Sequence, residues 1–235
     1  MSDMYESILK LPIFLGLNNV TLTALLEKSA VQFIKYNNNE QIVKKGELCT
    51  HMKFVVNGRI RVENEVVSGK VIICEEFNAP SIIAPDYLFG KDTYYPCNVY
   101  SIEESCIMQI SKPTFINIMM QHEICLINML NITSNSSQSV SSNFSFMSAS
   151  DMKQKLSRWI INMTNKKAET VHIKCRHKDL YTFFGMQRSV FINLLNELKD
   201  CGIIDYNATG IKILDNYALR DISNIDIDSY IENNP

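Results

Sequence analysis

Apolar residues recur at helical spacing through the first 30 positions, at Ile8, Leu11 and Leu15 and again in Leu22, Ala24, Leu25 and Leu26 behind Thr21. This segment reads as helix, interrupted at Pro12 and capped at Thr21. From residue 31 to 110 the grammar changes to short β-rich runs: Val31–Tyr36, Gln41–Lys44, Met52–Val56, Arg59–Val62, Val71–Phe77, Asn98–Ser101 and Cys106–Ile110. Turn residues separate them at Asn37-Asn38-Asn39, Lys45-Gly46-Glu47, Asn57-Gly58 and Ser68-Gly69. Asn57-Gly58 is the strongest hairpin signal, because a two-residue turn with positive φ at both positions suits Asn-Gly best. Strands at this spacing predict an antiparallel barrel or jelly roll in one domain of about 110 residues.

After Ser111-Lys112-Pro113, where proline favours helix initiation, Phe115, Ile118, Met119, Ile124, Ile127 and Leu130 predict a long helix. Its continuation is serine-rich and carries no charge from Ile124 through Ser150. Composition reads this stretch as a linker. The i, i+4, i+7 spacing of Val140, Phe144 and Met147 favours a helix whose small residues pack against a partner helix. Residues 151–163 form a clearer amphipathic helix opening at Asp151, with Met152, Leu156, Trp159, Ile160 and Met163 on one side. A strand at Val171–Ile173, helices near 176–183 and 187–201, and a hairpin around Asn207–Gly210 leading into Ile211–Leu214 complete a second domain of about 70 residues.

Length and composition are those of a globular protein, with 235 residues and 46% hydrophobic positions, so disordered and collagen-like classes fail. No run reaches the ~18–20 apolar residues of a membrane span, and the acidic start MSDMYESILK is unlike a secretory signal. A cytoplasmic protein is expected. The seven cysteines are scattered without a CxxC or Cys-His cluster, which argues against disulfides, structural zinc and an iron–sulfur site and leaves reduced, core-filling thiols.

The net charge of −2 hides a gradient along the chain. Residues 1–150 hold 11 Lys and Arg against 14 acids, residues 151–220 hold 12 against 7, and residues 221–235 hold none against 4. The only basic block is therefore the second domain. Local attraction to phosphate is one reading of that block, and a solvated charged face is the other.

Within it, Cys175 to Ile204 reads as helix, glycine turn, helix. Gly185 falls at the reversal, Leu180 and Phe184 precede it, and Val190, Leu194, Leu195 and Leu198 follow as residues that pack the two helices together. Gln187, Arg188, Ser189, Asn193 and Asn196 form a polar face toward the N-terminal end of the second helix, the end that enters a major groove in such modules. Arg188 suits the O6 and N7 atoms of guanine, and Gln187 and Asn193 suit adenine or phosphate. Arg176, His177, Lys178 and Thr182 are placed to hold phosphates.

The order of elements and the run Gly185 to Ile204 resemble the Crp/Fnr family of bacterial transcription regulators, whose pattern there is G-x-S-R-E-T-V-S-R-x-L-x-x-L-x-x-x-G-x-I. Ile211 to Asp215 is similar to the wing that follows. The resemblance covers about residues 10–220 and implies an α+β chain of two domains. Residues 1–112 would form a jelly-roll-like antiparallel β-roll sensor with flanking helices, 113–147 a long dimerisation helix, 148–220 a winged helix-turn-helix, and 221–235 an acidic tail. It further implies a homodimer, double-stranded DNA with a palindromic operator, RNA polymerase as a further partner, and no enzymatic activity. Arg188 matches the family's guanine-reading arginine. Ser189 stands in place of a glutamate and Asn193 in place of a second arginine, so the family's operator does not carry over.

The cyclic-AMP-binding members carry Phe-Gly-Glu and, about ten residues later, Arg-Ser/Thr-Ala, for the ribose hydroxyl and the cyclic phosphate. Here one alignment sets Ile82-Ile83-Ala84 at the first position and the other sets Phe89-Gly90-Lys91 there. Both leave Pro96-Cys97-Asn98 where the arginine would stand, which argues against cyclic AMP and leaves the effector unknown. His51 and His122 are lone histidines, a poor basis for haem. Two other readings remain open: a ligand-binding or interaction module of the same fold that has lost DNA binding, and a cupin-like β-barrel enzyme. The second requires clustered His and Glu ligands, and only His51 lies in the β region.

Overall fold

The computed structural model describes residues 2–142 and 151–223. The chain divides into two compact units, one of Met1–Val62 and Glu76–Ser141, the other of Glu63–Glu75 and Ser142–Pro235.

The first unit opens with α1 (Ser2–Leu9), a 3-10 turn begun by Pro12, and α2 (Asn19–Lys28). The cap of α2 is Asn18, whose side chain accepts from the Thr21 backbone N–H at 2.8 Å, so Thr21 lies inside the helix rather than at its start. Eight strands follow: β1 (Val31–Tyr36), β2 (Gln41–Val43), β3 (His51–Asn57), β4 (Arg59–Val66), β5 (Val71–Asn78), β6 (Ser81–Ile83), β7 (Asn98–Ser101) and β8 (Ser105–Ser111). One antiparallel sheet has the order β1-β8-β3-β6, and β5, β4, β7 and β2 lie side by side in a second. Phe54 pairs with Met108 in register across β3 and β8. Both side chains enter a core with Phe14, Ile60, Ile107 and Phe115.

Asn57-Gly58 makes no hairpin. β3 belongs to the first sheet and β4 to the second, so the chain changes sheets at this dipeptide. Gly58 has φ +87°, and a Cβ there would lie 2.3 Å from Ser105 Oγ and 2.7 Å from the Glu104 carbonyl oxygen. Glycine is required for close backbone approach at the crossing. Between β4 and β5, Val67, Ser68 and Gly69 all adopt positive φ.

The long helix of the sequence reading is two helices, α3 (Lys112–Gln121) and α4 (Glu123–Ser142). The break is His122, at φ −128° and ψ 93°. Ser111 caps α3 and Pro113 sits in its first turn. The serine-rich stretch continues as helix to Ser142, while Phe144, Met147 and the side chain of Val140 lie outside the described residues.

The second unit contains α5 (Met152–Met163), β9 (Thr170–Cys175), α6 (His177–Phe183), α7 (Arg188–Asp200), β10 (Ile204–Asn207), β11 (Gly210–Ile213) and α8 (Asn216–Ser223). Trp159 is buried against the rings of Phe183 and Phe184, and Leu156, Phe191, Leu195, Leu198 and Leu219 are fully enclosed. β11 lies between β10 and β9, with Ile211 opposite both Tyr206 and Ile173. The outer part of the β4–β5 hairpin belongs to this unit, and β5 is the neighbour of β9. Glu63 pairs with Lys174 at 3.1 Å. Five of the cysteines are buried, Cys106 is half-buried and Cys201 is exposed.

Candidate nucleic-acid interface

The turn between α6 and α7 is closed by backbone hydrogen bonds from Gly185 to Thr182 and from Met186 to Tyr181, with Gly185 at φ +64°. α7 then buries Phe191, Leu194, Leu195 and Leu198, a period-3.6 stripe that fixes which side faces outward. Arg188 is its first residue and Gln187 its cap, and both are exposed. Ser189, Val190, Asn193 and Asn196 are exposed as well. Gln187, Arg188, Ser189 and Asn193 are thus all exposed to solvent in the N-terminal half of the helix. Asn196 is engaged, accepting from the Tyr206 hydroxyl.

Val190 departs from the sequence reading, which had it packing the helices together: it is 47% exposed, and Phe191 fills the interior position. The signal was present in the spacing, since Phe191, Leu194, Leu195 and Leu198 keep one face and Val190 falls off it.

The four residues read as phosphate contacts are placed differently from one another. Lys178 and Thr182 are exposed. Arg176 is exposed but forms a two-point ion pair with Asp179, with Nε to Oδ2 at 2.8 Å and Nη2 to Oδ1 at 3.1 Å. That pair holds the Asp179 carboxyl below its usual range. The ring of His177 lies 6.0 Å from Phe191 and 5.6 Å from Tyr206, with Nε2 enclosed and, among the described residues, without a hydrogen-bond partner. It is a packing group here. At the tip between β10 and β11, Asn207 Oδ1 accepts from both the N–H and the hydroxyl of Thr209, shaping a tight exposed turn.

In the first unit, the residues read as an effector pocket are largely structural. Ile83 and Cys97 are buried in the same core as Leu88 and Tyr95, and Ile82, Ala84 and Phe89 pack against it. Asn98 Oδ1 is occupied by the Lys45 N–H at 2.9 Å and the Gln41 side chain at 3.2 Å. Pro96 is half-buried and Gly90 exposed. Lys91 and Asp92 are exposed, and Asp86 accepts from Ser136 of α4 at 2.8 Å. His51 bonds through Nδ1 to the neighbouring Thr50 hydroxyl at 2.8 Å, and burial lowers its pKa. Among the described residues no group of His, Cys, Asp and Glu is arranged to hold a metal ion, and no helix is long and apolar enough to cross a membrane.

The family model for the cyclic nucleotide-binding domain matches residues 33–122, and that for the Crp-like helix-turn-helix domain matches residues 154–222. The chain belongs to the Crp/Fnr family. Among solved structures, this Crp/Fnr chain is similar in fold to the catabolite activator protein of Thermus thermophilus, with 12% identity and a TM-score of 0.53 over 90% of this chain and 98% of that one. It is also similar to a protein of Eubacterium rectale described as a transcriptional regulator of the Crp/Fnr family, with 14% identity and a TM-score of 0.52 over 90% of this chain and 97% of that one. No curated protein matches the chain. As in other Crp/Fnr regulators, an antiparallel β domain precedes a helix-turn-helix domain, and the architecture is that of a DNA-binding transcription regulator.

Proposed function

We propose that the chain is a homodimeric regulator that binds a palindromic operator through α7, with Arg188 on guanine and Gln187, Ser189 and Asn193 on neighbouring base edges. The observation that carries this reading is the exposure of Arg188 at the N-terminus of α7, beside polar side chains and above a buried stripe that holds the helix rigid. Lys178 and Thr182 supply phosphate contacts that set register without reading sequence. Pairing across a two-fold axis is supported by apolar side chains left in solvent on α3 and α4, with Met120 80% exposed and Leu130 56% exposed. Two recognition helices related by that axis would meet half-sites about one helical turn, or ~34 Å, apart.

The effector is a molecule other than cyclic AMP. The stretch 80–98 offers no guanidinium to a cyclic phosphate, and its apolar side chains are spent on the core. Selection from a pool of random duplexes tests the DNA reading: enrichment of a two-fold symmetric site containing guanine is expected, and recovery of no such site overturns it. Titration calorimetry with cyclic AMP is expected to show no saturable heat.

A further inference from the structure

Val190 lies in the first turn of α7 between Arg188 and Asn193, exposed by 47% on a face that is otherwise polar. Neither packing nor helix propensity accounts for it, since a β-branched side chain loses χ1 freedom in a helix and this one gains no burial in return. Its neighbours on that face, three residues to either side, are Gln187 and Asn193, both exposed and each able to bond to a base edge. The major-groove edge of a duplex carries one apolar group, the 5-methyl of thymine. A valine pressed against any other edge would cover donors or acceptors without replacing their bonds to water, which penalises the complex.

We propose that Val190 reads the 5-methyl group of a thymine in the same half-site as the guanine taken by Arg188. The proposal rests on the DNA-reading function above and adds a specificity-determining residue to it. Val190 acts in two directions, gaining apolar contact with thymine and penalising cytosine, whose amino donor it would leave unpaired.

The test uses the full chain and the duplex enriched by selection. Each thymine of a half-site is replaced in turn by deoxyuridine, which removes the methyl and nothing else. At one thymine per half-site, affinity of the wild type is expected to fall about fourfold, the loss expected for one methyl returned to water. The same replacement is expected to leave Val190→Ala unaffected, with Val190→Thr intermediate. Because Val190 is exposed, both variants are expected to melt with the wild type. The proposal is overturned if no thymine responds to loss of its methyl, or if Val190→Ala responds as strongly as the wild type. Failure of the selection to enrich any duplex is a different outcome: it removes the DNA-reading function, and this inference with it.

Discussion

The carboxylate of Glu75 accepts a hydrogen bond from the backbone N–H of Asn165. Glu75 is 4% exposed on β5, Asn165 follows α5, and Asn64 Nδ2 reaches the same carboxylate at 3.5 Å. Burial raises the pKa of Glu75 despite the opposing effect of these two donors. The folded protein therefore holds this proton more tightly than the unfolded chain does. The contribution of Glu75 to stability is fully present below its ordinary value of 4.5 and is lost as pH rises through the higher folded value. In thermal melts across a pH series, Glu75→Gln is expected to gain on the wild type as pH rises toward neutrality. A constant difference between the two proteins at every pH would contradict this.

Gly58→Ala is expected to destabilise the first unit by about 1–3 kcal/mol, because a Cβ at φ +87° is strained and also meets Ser105 and the Glu104 carbonyl. Gly69→Ala provides the control. It has a similar φ of +80° with open space around it, so only the conformational term applies. Denaturant midpoints are expected to fall further for Gly58→Ala than for Gly69→Ala.

Local chemistry was legible where it is decided locally. Gly185, the buried Leu194, Leu195 and Leu198 of α7, the cap at Asp151 and the tip around Asn207–Gly210 all stand where spacing and residue type place them. What the sequence did not show depends on partners remote in the chain. Asn57-Gly58 has the composition of a hairpin turn, but which strands pair was decided by Phe54 and Met108 meeting in one sheet. Nothing in residues 63–75 announces that they belong with Asn165 and Lys174, about a hundred positions later. The break at His122 leaves no proline or glycine as a marker. At the interface, the Arg176–Asp179 pair was hidden for a simpler reason: an i, i+3 pairing is one of several that a short basic run allows.

Arg188→Ala is expected to weaken binding to the selected operator by ~1–3 kcal/mol and to relax discrimination at one base pair of each half-site. Lys178→Ala is expected to weaken all duplexes evenly and to reduce the slope of log affinity against log salt by about 1. Competition with scrambled duplexes at several salt concentrations separates the two. Equal effects of both substitutions on specific and scrambled DNA would remove Arg188 from base readout.

The apolar face of α4 gives the last expectation. Ile127 and Leu130 are 43% and 56% exposed, whereas Cys125 and Met129 on the opposite side are buried in the first unit. A carboxylate on the exposed side leaves that core untouched, so Ile127→Glu with Leu130→Glu is expected to fold as the wild type does. If this face joins two copies, the doubly substituted protein places like charges opposite one another in an apolar interface, and burying them unpaired is costly. Sedimentation is then expected to show a monomer. Affinity for the palindrome is expected to drop to that of a single half-site, because the second recognition helix no longer arrives tethered to the first. An unchanged sedimentation coefficient in the substituted protein would place the dimer contact elsewhere.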